Sequence, residues 1–206
     1  MPPRARPLSP DDRLDQLVDV TLLLLREHGR AVTTKQIAEA AGVAEGTIFR
    51  VVDTKEELVD RAISRAFTPG AVVERLEEID PTKPLRQRLV LMTSILQQRY
   101  RATFDLMRKV GLVKPPVHDS PEAELWRARL AELMVRVVGR DAERLTVPPQ
   151  EFCHRLRLLA FAGAHPHISD GHYLEAEAVV DTVLGGLLAP FARSETVAIT
   201  QDAACS

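Results

Sequence analysis

The run from Thr33 to Leu58, TTKQIAEAAGVAEGTIFRVVDTKEEL, constrains the fold of this chain more than any other stretch. Thr33 followed three places later by Gln36 is a capping box, in which a hydroxyl and an amide side chain satisfy two orphan N–H donors at a helix start. Ile37, Ala38 and Ala41 then recur at helical spacing. Gly42 stands where a helix end needs a left-handed residue, Val43 returns to the core, and Gly46 to Arg50 supplies a second short helix that buries Ile48. Asp53, with Glu56 three residues on, is the expected cap of the helix that follows. Small Ala38, flexible Gly42 and apolar Ile48 in this order are what two helices crossing steeply at a tight turn require, so the spacing predicts a helix-turn-helix.

On these residues the chain resembles the TetR (tetracycline-repressor-like) family of bacterial transcription regulators. The resemblance rests on Thr34, Ile37-Ala38, Ala41-Gly42-Val43, Gly46-Thr47-Ile48-Phe49, Lys55 and Leu58, and it covers the first third of the chain. Four positions depart from the usual pattern: Ala44 replaces a capping Ser or Thr, Phe49 a Tyr, Val51 a Tyr or His, and Val52 a Phe. The resemblance implies an all-α protein in which an N-terminal head reads double-stranded DNA and a C-terminal helical domain senses a ligand and dimerises.

The rest of the pattern fits that plan. Residues 1–10 form an arm with Arg4 and Arg6 before any acid, suited either to a loose tail or to a basic arm on phosphate. Pro10-Asp11-Asp12 opens a first helix, which buries Leu14, Leu17, Val18, Thr21, Leu22 and Leu25 and stops at Gly29. A helix from Thr54 to Phe67 leaves the motif, and Thr68 to Gly70 marks the boundary between a head of residues 11–68 and a second domain of residues 69–193. There the periodicity predicts helices over Ala71 to Ile79, from Leu85 until Lys114-Pro115-Pro116, from Ser120-Pro121 to near Gly139, after Pro148-Pro149, and from Leu174 to Phe191. A polar tail occupies residues 194–206.

Charge alone does not announce nucleic-acid binding. The chain carries a formal net charge of -2, and through Thr68 ten basic residues face eleven acidic ones. Placement therefore decides. In the major groove, the segment from Glu45 to Val52 would put its first turn against base edges. Thr47 can reach a base edge or phosphate, Arg50 suits the bidentate O6/N7 edge of guanine, and Glu45 can accept from a cytosine amino group. Gly46 lets the backbone approach, Phe49 lies on the same turn, and Lys35 matches a family position that can reach a base. Thr34 and Lys55 read as phosphate clamps.

A single head reads few base pairs, so self-association into a homodimer on a near-palindromic operator is expected. The resemblance implies that the last two helices form its surface. Phe152, Leu156, Leu159 and Gly163 line one, and Val180, Val183, Leu184 and Leu187 the other. It also implies a cavity for an unidentified small-molecule effector. Met92, Leu96, Tyr100, Phe104, Met107, Trp126, Leu130 and Met134 are its candidate walls, and their chemistry suits an apolar ligand.

Other classes find little support. No stretch is apolar enough to span a bilayer, and the N-terminus lacks the core of a signal peptide, which favours the cytoplasm. Cys153 and Cys205 do not suggest a disulfide framework. His165, His167 and His172 share a loop with Asp170 but match no recognised metal spacing, so neither metal nor cofactor is expected. There is no Gly-rich phosphate loop, serine elbow or Cys-x-x-Cys, and the chain does not read as an enzyme. The alternative is a helical adaptor whose helix-turn-helix contacts protein.

Overall fold

The computed structural model describes residues 9–68, 70–116 and 120–185. Within them run eight α-helices: α1 Pro10–His28, α2 Thr34–Ala41, α3 Lys55–Ala66, α4 Gly70–Glu77, α5 Leu85–Val110, α6 Pro121–Val138, α7 Pro149–Ala164 and α8 Ala176–Gly185. No strand occurs among the described residues. The protein is all-α, as its periodicity predicts.

Local chemistry fixes most helix ends where the sequence puts them. Ser9 caps α1 by accepting from the Asp12 amide at 3.1 Å, with Pro10 in the first turn. Thr33 and Gln36 form the full capping box on α2, and Gly42 ends it in the left-handed region at φ 66°. Ser120 and Pro121 start α6 in the expected way. Two ends differ. The cap of α3 is Thr54, whose hydroxyl accepts from the Glu57 amide at 3.1 Å, while the Glu57 carboxylate accepts from the Asp53 amide at 2.9 Å. The box thus sits one residue beyond the expected Asp53/Glu56 register, because Thr54 takes the extended cap conformation. Helix α5 stops at Gly111, left-handed at φ 70°, before the Lys114-Pro115-Pro116 run is reached.

Two apolar cores organise the chain. The first gathers Leu17, Leu25, Val32, Ile37, Ile48, Leu58, Ala62 and Ile63 from the head. It also takes in Leu106 and Val110, so the end of the long helix α5 completes the head's interior. The second gathers Leu76, Leu89, Met92, Leu96, Leu133, Met134, Leu156, Val179 and Val180. Helix α5 belongs to both.

Polar contacts pin the junction. The Arg30 Nε donates to the Val110 carbonyl at 3.2 Å, Lys109 Nζ donates to the Arg26 carbonyl, and Arg99 Nη2 to the Thr68 carbonyl at 3.4 Å. Gly29 lets the two backbones touch, since a Cβ there would lie 2.5 Å from the Lys109 carbonyl oxygen.

Candidate nucleic-acid interface

The recognition segment is tighter and shorter than the expected Glu45–Val52 helix. Residues Glu45–Arg50 form a 3₁₀ helix, with the Thr47 amide bonded to the Ala44 carbonyl at 2.8 Å and the Val51 amide to that of Ile48 at 3.1 Å. Ala44 has no side chain to cap it. Instead Ile48, wholly buried, and Val52 anchor the turn into the head core. Its outer side is left to solvent.

That outer side carries the expected DNA-reading chemistry unevenly. Arg50 is exposed and has neither hydrogen-bond nor ion-pair partner among the described residues, so its guanidinium is ready for an external acceptor. Thr47 lies half-buried beside it, and Gly46 faces open space, with nothing within 4 Å of where a Cβ would stand. Phe49 presents an apolar ring, 51% exposed. Lys35 is free to reach, its ammonium held only loosely by Glu39 at 3.9 Å.

Two of the expected contacts are engaged with each other. The Thr34 hydroxyl donates to the Glu45 carboxylate across the turn. A hydroxyl has one proton to give, so Thr34 can clamp a phosphate only when Glu45 lets go, and the bond ties α2 to the recognition segment without capping it. The sequence separation of this pair hides it from any local reading. Lys55 is likewise partly spent: its Nζ donates to the Val32 carbonyl at 3.4 Å and lies 3.7 Å from Glu56. Arg4 and Arg6 lie outside the described residues.

Some of the acids that cancel the head's charge are engaged away from the recognition segment. Arg65 pairs with Asp15 and, at 2.9 Å, Asp19, and Arg61 holds Glu57 at 2.7 Å. The Asp53 amide and then Arg61 pull the Glu57 carboxyl below the usual carboxylate range. The Arg65 pairs lock α1 to α3, while the Arg61–Glu57 pair lies within α3, and none of them involves the recognition segment.

The eight residues expected to line one effector cavity are parted among several settings. Met92 and Leu96 are sealed in the second core. Leu130 and Met134 border a small hollow of about 110 Å³ with Cys153, whose thiol is pushed up to about 12 by burial. Tyr100 and Phe104 join a ring cluster with Phe161, at centroid distances of 5.2 and 5.0 Å. Met107 packs on the head core. Trp126 instead walls a cleft of about 1040 Å³ between α3 and the start of α6, with Arg61, Arg65, Phe67 and Glu122. Helical spacing put these side chains on neighbouring faces, but direction across the bundle depends on packing angles that spacing does not carry.

The expected dimer residues divide too. Phe152, Leu156, Gly163 and Val180 are interior to the protomer, and Gly163 serves the chain itself: a Cβ there would lie 2.9 Å from the Leu174 Cβ. Leu159 and Val183 are half-buried, Leu184 is exposed, and Leu187 lies outside the described residues. The large apolar side chains left open on α7 are Leu158 and Phe161, neither of them among the expected dimer residues. His165 is occupied, its Nδ1 accepting from the amides of His167 and Ile168 at 3.3 Å each. No helix among the described residues is long and apolar enough to cross a membrane.

Comparison with known proteins agrees with this geometry. Residues 17–62 match the family of bacterial regulatory proteins of the tetR type. The chain is 41% identical over 64 residues to YvkB of Bacillus subtilis, an HTH-type transcriptional regulator, and 35% identical over 92 residues to the HTH-type transcriptional repressor KstR of Rhodococcus jostii. These matches take in 30% and 44% of this chain and span only 34% and 41% of those relatives. Among solved structures, a tetR-family regulator from Streptomyces coelicolor shares the fold at a TM-score of 0.55 and 21% identity, over 85% of this chain and 79% of that one. The fatty acid degradation regulator FadR of Bacillus halodurans does so at 0.54 and 17%, over 88% and 98%. The head of the chain thus carries the pattern of the tetR family over residues 17–62, and the helical body shares its fold with solved regulators over most of its length.

Proposed function

We propose that this protein is a homodimeric repressor that reads a near-palindromic operator and leaves it when a small, largely apolar effector binds. The observation that carries the DNA-reading part is the exposed Arg50, without a partner among the described residues, beside open Gly46 and Thr47 on a turn anchored by buried Ile48. A second copy would sit on the open side of α7 and α8, around Leu158, Phe161 and Leu184. Two heads then address half-sites about one helical turn apart. The effector would enter beside Trp126 and tilt α3, altering the spacing of the heads. It can shift that equilibrium only by its differential affinity for the two arrangements.

Selection of bound sequences from a random duplex pool tests the reading. A palindrome is expected; a pool that does not enrich, with binding indifferent to salt, would place the head among protein-contacting adaptors, since phosphate contacts impose a steep salt dependence. Within the enriched operator, Arg50→Ala should cost about 1–3 kcal/mol and relax preference at one base position. Unchanged preference, read by competition against single-base variants, would refute the role given to Arg50.

Gly46→Ala separates folding from DNA contact. Its backbone needs no left-handed conformation and the site is open, so the free protein should keep its melting temperature. On the operator the added methyl should keep the backbone away, weakening affinity by roughly tenfold, about 1.4 kcal/mol. Undiminished binding in a polarisation titration would mean the turn does not approach DNA closely.

A further inference from the structure

Arg101, on the inward side of α5, is charged chemistry that neither the fold nor the DNA interface uses. Its Nε and Nη2 are shut off from solvent and meet no acceptor among the described residues. The guanidinium carbon lies 5.1 Å from the centre of the Tyr173 ring, which supplies a π face but no hydrogen-bond acceptor to those two nitrogens. Beside it lies a hollow of about 240 Å³ bounded by Arg101, Phe104, Arg108, Pro166 and Tyr173. Asp105 also borders it, but its carboxylate is already shared between Arg108 at 2.6 Å and Lys109 at 3.3 Å. The Arg101 side chain as a whole is half-buried, but its enclosed Nε and Nη2 groups carry a penalty that nothing among the described residues offsets.

We propose that this hollow is a receptor for a small aromatic carboxylate, separate from the cleft beside Trp126. Nε and Nη2 present the parallel pair of N–H groups that a carboxylate engages in a bidentate fork. Phe104 and Tyr173 border the same hollow with rings suited to a flat apolar body. The volume admits a single ring and falls short of the space a drug-sized molecule fills. Tyr173, 44% exposed on the segment that follows Gly171, shifts off the guanidinium when an anion enters and stays as a wall of the hollow.

The site also has a route to the head. Lys109, which shares Asp105 with Arg108, donates to the Arg26 carbonyl in the last turn of α1. A carboxylate that draws Arg108 away leaves Asp105 to Lys109 alone and weakens that grip on α1. Binding at Arg101 is thereby coupled to the head–body junction, a consequence that rests on the regulator reading; the anion site itself does not.

Calorimetric titration of the full chain with benzoate tests the site, with benzylamine and inorganic phosphate as comparisons. Benzoate should bind and benzylamine should not. Arg101→Met and Arg101→Lys should each weaken benzoate by roughly tenfold or more, the second because an ammonium lacks the planar fork. Arg101→Met should keep or raise the melting temperature, whereas a merely structural arginine would lower it. Equal benzoate affinity in wild type and both variants, or no benzoate binding to wild type, overturns the site; phosphate binding more tightly than benzoate overturns the carboxylate assignment. Random-duplex binding, measured in parallel, keeps the two readings apart: a chain that takes benzoate but no DNA would retain the site and lose the regulator, and one that takes DNA but no benzoate the reverse.

Discussion

Gly29→Ala is expected to lower the stability of the folded chain by about 2–4 kcal/mol, combining a backbone conformation that L side chains rarely adopt with a clash that cannot relax. Gly29 sits at φ 58° and ψ -151°, where α1 ends. The new methyl would stand 2.5 Å from the Lys109 carbonyl oxygen and 3.3 Å from its carbon, and both are backbone atoms of α5. Relief requires the head and the long helix to move apart, which would loosen the contact between Arg30 and the Val110 carbonyl. Gly111→Ala is the matched control, because it is left-handed at φ 70° but has nothing within 4 Å. It should cost only about 1–2 kcal/mol, the strain term alone. Denaturant midpoints of the two variants decide the matter: equal losses would mean that the close approach of α1 and α5 contributes nothing.

Arg88→Met should destabilise by about 3–5 kcal/mol, the usual effect of breaking a buried pair by removing one partner. Arg88 is 2% exposed and closes the C-terminal end of α6, its Nη1 donating to the Val137 and Val138 carbonyls and its Nη2 to the Asp141 carboxylate. Methionine keeps the apolar stem but leaves those carbonyls unmet. Asp141→Asn should also be costly, because it strips the counter-charge from the buried Arg88 guanidinium, while Arg144 holds the same carboxylate at 2.8 Å. That pairing with Arg144, opposed by desolvation and aided by the charge of Arg88, keeps the Asp141 carboxyl below the usual aspartate range. A lowered folded-state pKa gives stability that is present above the ordinary aspartate value and lost as pH falls through the folded one. Acid titration of wild type should therefore show a loss in that window that Asp141→Asn lacks. Arg88→Met unfolding at the wild-type midpoint would sink this account of the α6 terminus.

What could be read from the chain, and what could not, follows the range over which each cause acts. Thr33 with Gln36, Ser120 with Pro121, and Gly29 and Gly42 declare helix ends because each acts within a turn of itself. The cap of α3 slipped from Asp53 to Thr54 because two adjacent residues both offer cap chemistry and only backbone conformation chooses. Ile48 was legible as the anchor of the recognition segment, and Arg50 and Gly46 as its outward groups, since the motif fixes their relative positions. The Thr34–Glu45 hydrogen bond, the Arg88–Asp141 pair and the attachment of Met107 to the head core were not, because each joins residues whose meeting depends on how whole helices cross. The same reason scattered the expected cavity walls and sent Trp126 to the cleft beside α3.

The double membership of α5 limits how this protein can be taken apart. Leu106 and Val110 lie far along the chain from the segment they help to seal, so cutting after Thr68 would leave that segment with a raw apolar scar. Grafting it onto a foreign body, as in a hybrid switch, demands a surrogate for that borrowed plug.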